Sequence, residues 1–179
     1  IQKMKQKIFD CITFYNANAL FEMRFNILRE YVDFFVVCEA SKSHTGNYKG
    51  YNFNLDFLKK HSDKIIYLKL DNLPEIETKN KKHYGLLKIQ MEHLFQGIQK
   101  ANKDDLIMFS DEDEIPNPKN IENFKGDKYK FGLFLQNMYY YKLNILGVDE
   151  GNGNWAGSRI CKKKYLKSFF KFRLLKKKN

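Results

Sequence analysis

Four apolar runs punctuate the chain, at residues 7–15 (KIFDCITFY), 33–40 (DFFVVCEA), 64–70 (KIIYLKL) and 105–111 (DLIMFSD). Three of them are nearly continuous rather than alternating, the pattern of strands covered on both faces. Between them apolar positions recur with helical spacing. Leu20, Met23, Ile27, Leu28 and Tyr31 share one face, and Tyr84, Leu87, Met91, Leu94, Phe95, Ile98 and Ala101 form a longer stripe. Residues 55–60 supply a short helix before the third strand. Strand alternating with helix predicts an α/β fold, a mostly parallel sheet with helices on both faces. No repeat and no Pro/Gly linker interrupts it, so residues 1–179 read as a single domain. Beyond Pro118 the pattern weakens. Residues 128–144 (KYKFGLFLQNMYYYKLN) read as extended, 146–158 (LGVDEGNGNWAGS) as a polar loop, and 161–175 (CKKKYLKSFFKFRLL) as the start of a helix.

Composition narrows this picture. At 43% hydrophobic, the 179 residues can fill a core, and a chain of that size buries roughly 70% of its unfolded surface. No run approaches the ~18 uninterrupted apolar residues of a transmembrane helix. Beginning at Ile1 and ending in LLKKKN, the sequence reads as a portion of a longer chain. The formal net charge of +11 comes from lysine; Arg24, Arg29, Arg159 and Arg173 are the only arginines. The lysines are scattered apart from residues 79–82, 162–164 and 176–178. Such a spread predicts solvated faces rather than a nucleic-acid footprint, while a phosphate-bearing partner stays open. Cys11, Cys38 and Cys161 are odd in number and far apart, which predicts buried, reduced thiols. His44, His61, His83 and His93 show no metalloprotease spacing.

The chemistry gathers at one place. "DDLIMFSDEDEIPNP" runs from an apolar strand into four consecutive carboxylates, Asp111 to Glu114. In open parallel sheets ligands collect at the carboxyl ends of the strands. Here those ends read Tyr15-Asn16, Glu39-Ala40-Ser41, Asp71-Asn72 and Ser110 to Asp113. Two carboxylates about 4 Å apart repel by roughly 1 kcal/mol in water and about 4 kcal/mol at an effective dielectric of 20. A shared cation relieves that repulsion. In an extended segment positions i and i+2 point the same way, so Asp111 and Asp113 are expected to share one ligand with Glu112 facing elsewhere. Hard oxygen pairs of this kind suit Mg²⁺ or Mn²⁺ held jointly with phosphates. The competing reading is an acidic turn capping a helix that begins near Pro118. An EF-hand fails at Ile115 and Pro116, and neither a P-loop nor a G-x-S-x-G occurs.

"IFDCITFYNANALFEMRFNILREYVDFFVVCEASKSHTG" followed by "DDLIMFSDEDEIPNP", with the likeness continuing through "WAGSRICKKKYLK", resembles glycosyltransferase family 17. Its animal members are the β-1,4-mannosyl-glycoprotein 4-β-N-acetylglucosaminyltransferases. The resemblance implies a GT-A-like fold, with a nucleotide-sugar part at 1–118 and the start of an acceptor-side part at 119–179. It implies inverting transfer of N-acetylglucosamine from a UDP-sugar to a hydroxyl of a glycan or glycoprotein acceptor. Under it, Asp111 and Asp113 take the Mn²⁺ or Mg²⁺ ion, and Phe14, Tyr15, Asn16, Glu39, His44, Ser110 and Glu112 border the donor. Trp155 and Arg159 fall on the acceptor side, Trp155 as a surface for a sugar ring or a plug at the sheet edge. Arg159 is expected at a phosphate or in a surface ion pair. No residue is assigned as the general base that inversion requires.

Departures from the family pattern are specific. A Gln-Arg-Asn element on the long helix reads Gln90-Met91-Glu92 here, with Met91 on the apolar stripe and so expected in the core. The Asn-Glu after the first strand reads Asn16-Ala17. Relatives continue into a Gly-Gly-Trp-His segment that this sequence does not contain. Glu22 and Arg24, two apart on a helix, are expected in separate structural ion pairs, and Tyr139 to Tyr141 in strand packing. The rival readings are another metal-dependent nucleotidyl or phosphoryl transferase, and a non-catalytic basic module for glycan or nucleic acid.

Overall fold

The computed structural model describes residues 5–74, 84–139, 145–147 and 154–176. In chain order the elements are β1 (Ile8–Phe14), α1 (Asn18–Leu28), β2 (Phe34–Ala40), α2 (Leu55–Lys60), β3 (Ile65–Leu70) and α3 (Tyr84–His93). They continue with β4 (Leu106–Asp111), α4 (Pro118–Glu122), β5 (Phe131–Asn137), β6 (Asn154–Lys162) and α5 (Phe169–Arg173). A 3-10 segment, Leu94–Ile98, extends α3, and a short one follows β6.

The strands form one sheet in the order β3-β2-β1-β4-β6-β5. The pairs β1–β2, β1–β4 and β2–β3 are parallel, while β6 runs antiparallel to both β4 and β5. The α/β class with a mostly parallel sheet is therefore as the apolar runs predict. Alternation along the strands feeds two cores. One face carries Phe9, Cys11, Val36, Cys38, Ile107 and Phe109 against Leu86, Met91, Leu94 and Ile98 of the α3 region and Phe169 and Phe172 of α5. The other carries Ile12, Phe14, Phe35, Val37 and Met108 against Phe21, Phe25 and Leu28 of α1. Burial on both sides explains why these strands read as continuous apolar runs. Gly97 abuts Val36 so closely that any Cβ there would overlap it, which lets the 3-10 segment lie on β2. Met91 is fully buried, as its place on the stripe predicts, and all three thiols are buried. Desolvation pushes the Cys38 and Cys161 thiols up to about 12.

Two expectations for the C-terminal third are corrected. Residues 154–158, read as part of a polar loop, are the first half of β6 and pair with β5 at Trp155↔Gln136 and Ala156↔Leu135. The Gly/Asn-rich composition hides the strand, and small residues are what the site requires: a Cβ on Gly157 would meet Gln136 Oε1 at 2.5 Å and Glu114 Cδ at 3.1 Å. The helix read over 161–175 is confined to Phe169–Arg173, because Cys161 and Lys162 complete β6 and Ser168 caps α5, its hydroxyl oxygen accepting from Lys171 N. The extended reading of 128–144 holds for β5; Tyr140 and Tyr141 lie outside the described residues, and Tyr139 is half-exposed with an isolated bridge to Leu146. Among the described residues no helix is long and apolar enough to cross a membrane.

Candidate active site at the strand ends

Because β1 and β4 are parallel neighbours in register Thr13↔Asp111, the end of β1 and the acidic run reach the same edge of the sheet. An open pocket of about 270 Å³ lies there, lined by Thr13, Phe14, Tyr15, His44, Leu87, Gln90, Asp111, Glu112 and Arg173. Of the residues singled out from sequence, it gathers Phe14, Tyr15, His44, Asp111 and Glu112. Asn16 is exposed at the next position of the chain.

The acidic run is not extended. It turns directly after β4, with Glu114 N donating to Asp111 O at 3.1 Å, so the i, i+2 argument does not describe its geometry. Asp111 and Glu112 line the pocket, whereas Asp113 is exposed and is not among the lining residues. Glu112 accepts from Tyr15 N at 3.0 Å, tying the turn to the end of β1. Burial pushes its carboxyl above the usual range, opposed by the Tyr15 and Ala17 N–H groups. Glu114 accepts from Asp111 N at 3.0 Å and from Trp155 Nε1 at 2.5 Å. Burial raises it as well, with the indole N–H pulling the other way. Trp155 thus stands at the sheet edge, 44% exposed and anchored by one side-chain hydrogen bond.

The turn is fastened from below by a buried polar network. Arg24, wholly buried on α1, donates from Nε and NH2 to the two oxygens of Asp10 at 2.6 and 2.7 Å. It also donates to Ser110 Oγ at 2.9 Å and to the Glu114 carbonyl at 2.8 Å. Ser110 Oγ donates to Ser158 Oγ at 2.7 Å. Every member is buried and partnered, which is the condition under which a core polar network fixes one geometry. Arg24 is therefore a structural ion pair, as expected. Glu22 is part-exposed and accepts from Asn54 Nδ2 at 3.5 Å in place of the ion pair expected for it. Ser110 lies beneath the pocket rather than in its wall.

Glu39 is also beneath it. Its buried carboxylate takes Lys49 Nζ at 2.6 Å, Asn52 N at 2.7 Å, Phe53 N at 3.1 Å and Tyr67 OH at 2.6 Å. Those bonds fold residues 41–53 back over the strand ends. Within that loop Gly46 adopts φ +92°, a backbone that L side chains rarely take, and it closes the turn that presents His44. His44 Nε2 pairs with Gln90 Oε1 at 3.1 Å, while Gln90 Nε2 donates to Phe14 O at 3.2 Å and Cys38 O at 2.8 Å.

Gln90, Thr13, Leu87 and Arg173 are pocket residues that the sequence reading left unassigned. Gln90 carried a signal: a polar side chain beside Leu87, Met91 and Leu94 on the buried stripe. Arg173 carried none, because a lone arginine in an aromatic and basic segment reads as surface. It pairs with Asp111, NH2 to Oδ2 at 2.5 Å and Nε to the two oxygens at 3.2 and 3.3 Å. Arg159, expected at a phosphate or in a surface ion pair, is instead buried at 7% exposure. It donates from NH1 to Gly157 O, while its Nε finds no partner among the described residues. Desolvation lowers its pKa, and the Asp111 and Glu114 carboxylates oppose that.

Chemically, the edge offers acidic oxygens for a hard cation, a guanidinium for an anion, and aromatic surface from Tyr15, while the Phe14 ring is buried in the core. Mg²⁺ and Mn²⁺ bind through one or two carboxylates together with substrate phosphates, and of the expected pair Asp111 lines the pocket while Asp113 stands exposed outside its lining. Among the described residues no group of three or more His, Cys, Asp or Glu side chains converges as a metal cage.

Comparison with known proteins adds a family. The family model described as "Glycosyltransferase family 17" matches residues 1–159. No curated protein matches the chain. Among solved structures, it is similar to glucosyl-3-phosphoglycerate synthase from Mycobacterium tuberculosis, a structure in complex with Mn²⁺, UDP and phosphoglyceric acid. That likeness has 13% identity and a TM-score of 0.43, and covers 89% of this chain and 56% of the synthase's. The chain thus spans little more than half the length of that enzyme.

Proposed function

Because the chain belongs to glycosyltransferase family 17, we propose that the strand-end pocket receives a nucleotide-sugar donor and that the protein transfers its sugar to a hydroxyl of a glycan. The observation that carries this reading is the meeting of Phe14, Tyr15, Asp111 and Glu112 in one pocket at the carboxyl ends of β1 and β4. Ligands of parallel α/β sheets gather at that edge. The sheet is of the GT-A-like kind, mostly parallel with helices on both faces.

In this reading the donor is UDP-N-acetylglucosamine. Phe14, Tyr15 and Asn16 border the nucleotide, His44 and Glu112 flank it, and Glu39 and Ser110 hold the surrounding loop and turn from beneath. Asp111 and Asp113 would hold Mn²⁺ or Mg²⁺, which would supply positive charge against the diphosphate. The acceptor oxygen attacks the anomeric carbon as the bond to the UDP oxygen breaks, with inversion, and the acceptor proton passes to a base. Trp155 offers ring surface on the acceptor side, with Arg159 buried behind it. The donor part corresponds to residues 1–118, and residues 119–179 begin the acceptor side while returning α5 to the pocket.

Thermal shift with UDP, UDP-N-acetylglucosamine and Mn²⁺ tests this. Ligand at a hundredfold excess over its Kd stabilises by about 2.7 kcal/mol, which for a chain of this size raises Tm by roughly 5–10 °C. We expect that shift to need Mn²⁺ and to vanish in Asp113→Ala. A metal-dependent response to nucleoside triphosphates without a preference for the UDP-sugar favours a nucleotidyl or phosphoryl transferase instead. No UDP response at all, with DNA or glycan binding retained in Asp113→Ala, favours the basic binding module.

A further inference from the structure

The Arg173–Asp111 pair sits where the proposed function needs both a cation and an anion-binding group. Arg173 is the last residue of α5, and its guanidinium lies along the Asp111 carboxylate with both side chains partly exposed, 29% and 27%, in the wall of the same pocket. The helix that delivers it is fixed. Glu92 of α3 accepts from Ser168 Oγ at 2.5 Å, Phe170 N at 3.1 Å and Phe169 N at 3.3 Å, and Phe169 and Phe172 are buried in the core. The backbone of α5 is thereby pinned while the arginine side chain reaches out to the pocket. Residue 173 also lies outside the 1–159 segment that matches the family, so the match assigns it no role.

We propose that Arg173 is an exchangeable internal counter-ion: it neutralises Asp111 in the free protein, yields it to a divalent cation, and turns onto the diphosphate of the incoming nucleotide. This rests on reading the pocket as a nucleotide-sugar site. In the free protein Asp111 stands in a turn with three other carboxylates, two of them part-buried, and the guanidinium offsets that crowding. When a dication takes the carboxylate, the two positive charges compete for the same oxygens. A guanidinium fork matches phosphate as well as carboxylate, so Arg173 exchanges one charge-assisted pair for another within a side chain's reach. Arg159, which feels both Arg173 and Asp111 electrostatically, adds fixed positive charge behind the pair. The ligand class is a nucleoside diphosphate bound with a divalent cation.

The test is calorimetric titration of wild type, Arg173→Ala and Arg173→Gln, first with Mn²⁺ alone and then with UDP in saturating Mn²⁺. A charge-assisted pair is worth roughly tenfold or more in affinity. Removing the arginine should therefore tighten Mn²⁺ binding about tenfold while weakening UDP binding about tenfold. Those opposite signs separate the proposal from a merely structural role, which would weaken both. Loss of Mn²⁺ affinity in both variants, or unchanged UDP affinity in either, overturns it. If wild type binds UDP with Mn²⁺ and the variants behave as wild type, only the role of Arg173 falls. If wild type binds no UDP under any condition, the pocket reading falls with it. Should Arg173→Ala fail to fold, Arg173→Gln, which keeps length and polarity, gives the same comparison.

Discussion

At the scale of single residues, Arg24 shows how a charge can be spent wholly on architecture. With Asp10 also wholly buried, the pair has no solvent to fall back on. Removing one partner of such a pair leaves an uncompensated charge in the core and typically costs about 3–5 kcal/mol. Arg24→Met should accordingly lower the unfolding free energy by that amount, read as a lower urea midpoint. The double replacement Arg24→Met/Asp10→Leu should recover most of the loss, because a well-packed apolar pair is often no worse than a buried ionic one. An unchanged midpoint in the single variant would show that the network does not hold the core. Residue identity was legible in part. The sequence pointed to a structural pairing for Arg24 and to core packing for Met91, and both are found. Glu39 and Ser110 were placed at the strand ends correctly, yet their side chains alternate onto the face opposite Asp111 and so hold the loop and turn from below. The direction of one side chain depends on the strand's pleat, which the apolar runs, buried on both faces, do not reveal.

Among the elements, α3 is the organiser of the pocket. From one turn it sends Gln90 to the ends of β1 and β2 and Glu92 to the start of α5. Replacing Glu92 with alanine removes the acceptor for Ser168 Oγ and two backbone N–H groups. The expected cost is about 1–2 kcal/mol, in the range of a lost helix cap, concentrated in faster hydrogen exchange across residues 168–175. UDP affinity should fall with it, since Arg173 rides on that helix; protection of α5 equal to wild type would contradict this. The parallel half of the sheet was readable because its strands are predominantly apolar. Strand β6 was not, because Gly157 and Ser158 fit closely against Gln136 and Glu114 rather than serving apolar burial. Helix α5 was overestimated for the converse reason: aromatic and basic residues continued the pattern past its cap.

For the whole molecule, a net charge of +11 coexists with an acidic turn at the functional edge. Scattered lysines give a diffuse field, and diffuse fields attract polyanions weakly and without a register. Duplex DNA should bind without saturation and be lost as salt rises from about 50 to about 200 mM, while UDP with Mn²⁺ remains bound, its charges held within a pocket where screening is weaker. Retention of DNA at the higher salt, measured by fluorescence anisotropy, would favour a nucleic-acid role. The strand order has a further consequence for how the chain is made. β1 meets β2 early, Ile8 bonding to Asp33 only 25 residues on. Its other edge waits for β4, and Arg24 waits 90 residues for the Glu114 carbonyl. A chain leaving the ribosome therefore carries an open β1 edge until β4 has been made, a template for mispairing. The acidic segment arrives directly behind the strand that shuts it, so the turn at the strand ends forms as the exposed edge is covered.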